Sequence, residues 1–108
     1  MSKPTLPAPI AAYYAADRQD PKTLARCFTP RAVVNDEGIA HIGHEAIRAW
    51  KAEAARYAYT AEPFALDQER GSQVVRAHVR GDFPGSPVDL RYRFELEGDL
   101  IASLEITA

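Results

Sequence analysis

The chain has one cysteine, Cys27, in 108 residues. A single thiol closes no internal disulfide and builds no cysteine-based zinc site. Net charge is also scarce: 13 Lys and Arg stand against 15 Asp and Glu, a balance of −2. That balance gives no electrostatic reason to expect nucleic acid or an anionic membrane as partner. Long apolar runs are missing. The start, MSKPTLPAPIAAYYAA, has one lysine and no stretch suited to a signal peptide or a membrane span. A cytoplasmic location is therefore expected. No glycine-rich phosphate loop, nucleophile elbow or dinucleotide fingerprint occurs, so no cofactor is expected.

What is present is ordinary for a globular domain. Apolar residues make up 46 % and charged residues 26 %, enough for one core and no more. Residues 1–7 hold two of the eight prolines and read as a loose arm before a single domain over 8–108. Pro9 suits the first turn of a helix, where its missing N–H costs nothing. Ile10, Tyr13 and Tyr14 follow at helical spacing. Asp20-Pro21 pairs an N-cap acceptor with proline at the first helical position. The short helix that follows carries Leu24, Ala25 and Phe28 inward, and Thr29-Pro30 stops it. Ala32-Val33-Val34 then forms a strand ending at Asn35-Asp36, with a turn at Glu37-Gly38 and a second strand over 39–42.

The longest helical pattern covers 43–57. Ala46, Ile47, Trp50 and Ala54 share one face, with Arg48, Lys51, Glu53 and Arg56 on others. From residue 59 the period changes to two. Strands are expected over 59–69, interrupted near Pro63, then over 73–81, 88–96 and 100–106. Val88, Leu90, Tyr92, Phe94 and Leu96 share an apolar face, while Asp89, Arg91, Arg93 and Glu95 share a polar one. Helices first and antiparallel strands afterwards predict an α+β fold, with three helices on the concave face of a curved sheet. A cavity between helix and sheet would take a small apolar ligand.

Four segments carry a family resemblance: DPKTLARCF at 20–28, AVVND at 32–36, GHEAIRAW at 43–50, and the strand pair over 90–106. Together they resemble the nuclear transport factor 2-like superfamily, which includes SnoaL-like polyketide cyclases and ketosteroid isomerases. The resemblance runs over nearly the whole chain from Ile10. It implies a cone-shaped α+β barrel with a pocket at the wide end, and a homodimer through the outer sheet face. By its place after AVVN, Asp36 is similar to the general-base aspartate of the isomerases. Trp50 falls where those enzymes place an aromatic wall. Their oxyanion tyrosine corresponds to Ala12, beside Tyr13, and their second aspartate to Leu90, beside Asp89. The isomerase oxyanion pair is thus missing.

Asp36 keeps two readings. In an apolar pocket it can remove a proton from carbon beside a carbonyl. Within Asn35-Asp36-Glu37-Gly38 it can instead cap turn N–H groups. Tyr13 and Tyr92 are candidate donors to a substrate carbonyl, and equally core tyrosines. Trp50, Phe64, Phe94, Leu90 and His41 are the expected ligand-binding residues. His41 and His44 lie three apart across a strand end and a helix start, so no metal site is expected. Two functions follow. One is a cofactor-independent isomerase or cyclase acting on a small hydrophobic molecule. The other is a non-catalytic small-ligand-binding or dimerisation module.

Overall fold

Proline opens both of the first two helices. The computed structural model describes residues 4–108. In α1 (Ala8–Ala16) the Pro7 carbonyl accepts the N–H groups of Ile10 and Ala11, so Pro9 removes no needed donor. In α2 (Pro21–Ala25) the Asp20 carboxylate accepts the Thr23 N–H at 2.8 Å, as an N-cap should. That bond also lowers the Asp20 pKa, because it favours the charged form. Of the expected arm, residues 1–3 lie outside the described residues. Over 4–7, Leu6 is partly buried against the core.

The second helix is shorter than its pattern suggests. It ends at Ala25, and Phe28 already belongs to β1 (Phe28–Asp36), which runs on through Pro30. The strand tolerates that proline because its pairing lapses there. Phe28 pairs with Ile101, and the next partners are Val33 and Ser103. A two-residue turn leads to β2 (Ile39–Ile42). Glu37 and Gly38 both have positive φ, 54° and 78°, as a tight hairpin with right-handed strand twist requires. Then α3 (Gly43–Ala54) crosses the sheet, ending before the expected residue 57.

The remaining strands are β3 (Tyr59–Glu69), β4 (Ser72–Gly81), β5 (Val88–Glu97) and β6 (Leu100–Thr107). They form one six-stranded sheet in the order β2-β1-β6-β5-β4-β3. Only the β1–β6 pair is parallel. The sheet is mixed and open, with β2 and β3 as edges. The fold is therefore α+β, with three helices against a cone-like sheet. One face follows the alternation of the sequence: Val75, Ala77, Val79, Tyr92 and Phe94 are buried beneath the helices. On the other face, Arg80 bridges Glu62, while Arg91 and Arg93 share Glu69. No helix of the described residues is long and apolar enough to cross a membrane.

Candidate functional site

Asp36 closes β1, paired on one side with Ile39 and on the other with Ile106. Its backbone is fixed by two neighbours and its carboxylate is half-buried. The indole N–H of Trp50, from α3, donates to Asp36 Oδ2 at 3.0 Å. The carboxylate is thus held by a distant element. The His41 ring lies 6.1 Å from the Trp50 ring, centroid to centroid. Asp36, His41 and Trp50 therefore converge where the β1–β2 hairpin meets α3. His44 turns elsewhere, with Nε2 2.7 Å from the Phe28 carbonyl oxygen. Among the described residues, no group of three or more His, Cys, Asp or Glu side chains is placed to hold a metal ion.

Deeper in, five rings pack together, Tyr13, Tyr14, Phe28, Tyr92 and Phe94, edge to face except for the stacked Tyr92–Phe94 pair. Their centroids are 5.0 Å apart for Tyr13–Tyr14 and 5.4 Å for both Tyr13–Phe94 and Tyr14–Tyr92. Phe94 is fully buried under this cluster, and Tyr13 nearly so. Burial raises the pKa of Tyr13, Tyr14 and Tyr92, and the negative charge of Asp17 raises each further. These hydroxyls stay protonated. The Tyr14 hydroxyl is buried and has no hydrogen-bond partner among the described residues.

A second polar group sits beside this cluster. Lys51 Nζ lies 2.7 Å from Asp17 Oδ1 and 2.6 Å from the Tyr59 hydroxyl. Tyr59 in turn donates to Asp17 Oδ1 at 2.8 Å. Lys51 is only 3 % exposed, although the helical pattern set it on an outward face. Its place follows from spacing: it lies four residues after the fully buried Ile47, hence on the same side of α3. Asp17 likewise follows Tyr13 by four. Burial first, and Asp17 second, raises the pKa of Tyr59.

Phe64, an expected pocket wall, lies on the outward side of β3. It is 48 % exposed, with the Arg76 guanidinium 5.5 Å from its ring centroid. The pairing of β3 shifts between Pro63 and Ala65, so Phe64 is the unpaired bulge residue beside an outward Arg76. Leu90 is half-buried and packs on the core, while Asp89 faces out to His78 at 2.7 Å. Two surface cavities, of about 450 and 430 Å³, lie along α2 and α3 and share Lys22, Glu45 and Arg48. Neither contains Asp36 or Trp50.

A family profile described as SnoaL-like domain matches residues 10–104. The chain belongs to this family. A solved structure of a provisionally named polyketide cyclase from Sinorhizobium meliloti is 42 % identical, with a TM-score of 0.88. The alignment covers 94 % of this chain and 95 % of that one. Two more distant structures are similar in fold. An uncharacterised cystatin-fold protein from Novosphingobium aromaticivorans is 28 % identical, with a TM-score of 0.75 and coverage of 93 % and 95 %. A protein with a ketosteroid isomerase-like fold from Catenulispora acidiphila, solved with trimethylamine, is 20 % identical. Its TM-score is 0.81 and coverage is 96 % and 87 %, a likeness of fold alone. No curated protein matches the chain.

Proposed function

We propose that this SnoaL-like domain binds a small, largely apolar carbonyl compound beside Asp36 and Trp50, and that Asp36 acts on it as general base. The observation that carries this reading is the Trp50–Asp36 bond. It holds one carboxylate oxygen and aims the group between the hairpin and α3. In the proposed reaction Asp36 takes a proton from the carbon beside the carbonyl. The C–H electrons pass into the enolate, whose oxygen is met by a tyrosine O–H. Reprotonation at another carbon, or attack of the enolate on a second carbonyl, completes an isomerisation or a ring closure. Tyr92 is the donor of choice, since the charge of Asp36 acts on its hydroxyl; Tyr13, packed against it, is the alternative. The provisionally named cyclase among the relatives supports the same class of chemistry.

A non-catalytic binding module is the second reading. The packing of Tyr13, Tyr14, Tyr92 and Phe94 into one another favours it, because these rings occupy the space a substrate would need. We also propose a homodimer through the outer sheet face, where Phe64 stands exposed among paired charges. Phe64→Glu should then return a particle of twice the 11.9 kDa chain mass to monomer in light scattering.

Deuterium uptake at the α-carbon of 2-tetralone, an apolar carbon acid, tests the catalytic reading. The wild type should accelerate uptake over buffer, and Asp36→Asn should lose about 10²–10⁴-fold of that rate. Binding of 2-tetralone without acceleration would support the second reading. Equal rates in wild type and Asp36→Asn would remove Asp36 as base.

A further inference from the structure

The arginines of the sheet have carboxylate partners. Arg76 pairs with Asp67, Arg80 with Glu62, and Arg91 and Arg93 with Glu69. Three cations of the helical layer stand differently. Lys22, Arg26 and Arg48 are exposed, and none forms an ion pair among the described residues. Lys22 and Arg26 are like charges four residues apart, an arrangement that weakens a helix slightly. Stability of the fold gives no reason for it.

Spacing brings these groups to one place. Lys22 and Arg26 belong to α2 and its C-cap, and His44 and Arg48 stand four apart on α3. Each pair therefore lies on one side of its helix. All four line a single cavity of about 430 Å³, together with Ala25. The His44 ring is fixed there by the contact of Nε2 with the Phe28 carbonyl oxygen. Among the described residues of that lining, Glu45 is the one carboxylate against three full positive charges.

The adjoining cavity of about 450 Å³ shares Lys22, Glu45 and Arg48. Its other walls are Pro21, Ala49 and Ala52, with Asp20 beside them. The Asp20 carboxylate is engaged by the Thr23 N–H. Two cations meet two carboxylates in this half, so the charge cancels. The groove between α2 and α3 is thus polarised, with a positive half and a neutral half walled by proline and alanine.

That polarity selects a ligand chemistry. A carboxylate has two oxygens in one plane, which a single guanidinium can meet. Three cations from two helices suit instead a tetrahedral dianion with three acceptor oxygens. The chain as a whole carries −2, which disfavours an extended anionic surface and leaves a small anion as the fitting partner. We propose that the α2–α3 groove is a second binding site, for a small phosphate monoester bearing an apolar group. Lys22, Arg26 and Arg48 hold the phosphate, and Pro21, Ala49 and Ala52 receive the apolar group. The site lies apart from Asp36 and does not rest on the function proposed for that residue.

The test titrates phenyl phosphate, benzoate, inorganic phosphate and phenol separately into the full chain and follows backbone amide NMR shifts. Phenyl phosphate should move resonances over 20–26 and 44–52, and bind about tenfold tighter than each of the other three. Its affinity should fall as salt is added, because the charges are exposed. Arg26→Gln and Arg48→Gln should each weaken it about fivefold, and Glu45→Gln should tighten it about twofold. All three positions are exposed, so the variants should fold as wild type does. Arg31→Gln removes an exposed charge of β1 outside the groove and should change nothing.

An absence of shifts in the groove overturns the proposal. So does an equal loss in Arg31→Gln, which marks attraction to overall charge alone. Equal affinity for benzoate overturns the choice of phosphate, and equal affinity for inorganic phosphate overturns the role of the apolar half. Binding to vesicles of phosphatidylcholine and phosphatidic acid, with no response to phenyl phosphate, overturns it in favour of a membrane surface.

Discussion

Trp50 Nε1 and Asp36 Oδ2 are 3.0 Å apart, and this one bond joins the long helix to the end of the first strand. The donor is neutral and the acceptor a carboxylate. Such a bond contributes about 1.5–3 kcal/mol when well shielded, and less at a half-buried site. Trp50→Phe should destabilise the protein by about 1–3 kcal/mol. Asp36→Asn should cost less, since an amide oxygen still accepts the indole N–H. Urea unfolding followed by circular dichroism compares the two. A larger loss for Asp36→Asn would contradict this account.

The Asp17–Lys51 pair gives a sharper prediction. Side-chain exposure is 9 % for Asp17 and 3 % for Lys51, so neither charge has much water to return to. Asp17→Ala leaves the ammonium buried without its counter-ion and should cost about 3–5 kcal/mol. Adding Lys51→Met to Asp17→Asn should recover most of that loss, because the neutral pair has no charge to desolvate. Strict additivity of the two single losses would show that the residues do not act as a pair.

Alkaline pH should unfold the protein through its tyrosines. Burial raises the pKa of Tyr13, Tyr14, Tyr59 and Tyr92 above the ordinary value. In the unfolded chain they release protons near pH ~10, while the folded chain retains them. Above that pH the unfolded state binds fewer protons, so stability falls as pH rises; below it the contribution is fully present. Tyrosinate absorbance should therefore rise steeply together with loss of circular dichroism. Ionisation of all five tyrosines in a still-folded protein would refute it.

Gly81 is fixed by space. A Cβ there would meet the Ala58 carbonyl oxygen and come within 2.7 Å of Tyr59 Cα, both on the backbone. Gly81 pairs with Tyr59 at the start of β3, and the Asp82 N–H bonds the Ala58 carbonyl at 3.1 Å. Gly81→Ala must push this strand end away, at a cost of about 1–3 kcal/mol. A thermal melt measures it.

The sequence carried its own secondary structure wherever the pattern was local. Alternation over 88–96, the turn chemistry of Glu37-Gly38 and the proline-led helix starts are properties of a few neighbouring residues. They need no partner to be legible. The α+β class follows from the order of those elements, and the places of Asp36 and Trp50 in AVVND and GHEAIRAW singled both out as candidates. Their bond was not, because it joins residues fourteen apart across a hairpin and a helix.

Tertiary structure alone decided the rest. Phe64 faces outward by alternation from Ala61 and Pro63, which pair with the buried Val79 and Ala77, and the one-residue shift after Pro63 brings Leu66 inward opposite Val75. Lys51 turned inward against its residue type, because Asp17 and Tyr59, 34 and 8 residues away, neutralise and bind it there. A charge is read from sequence as a surface residue. Only the fold brings the counter-charge that lets it be buried.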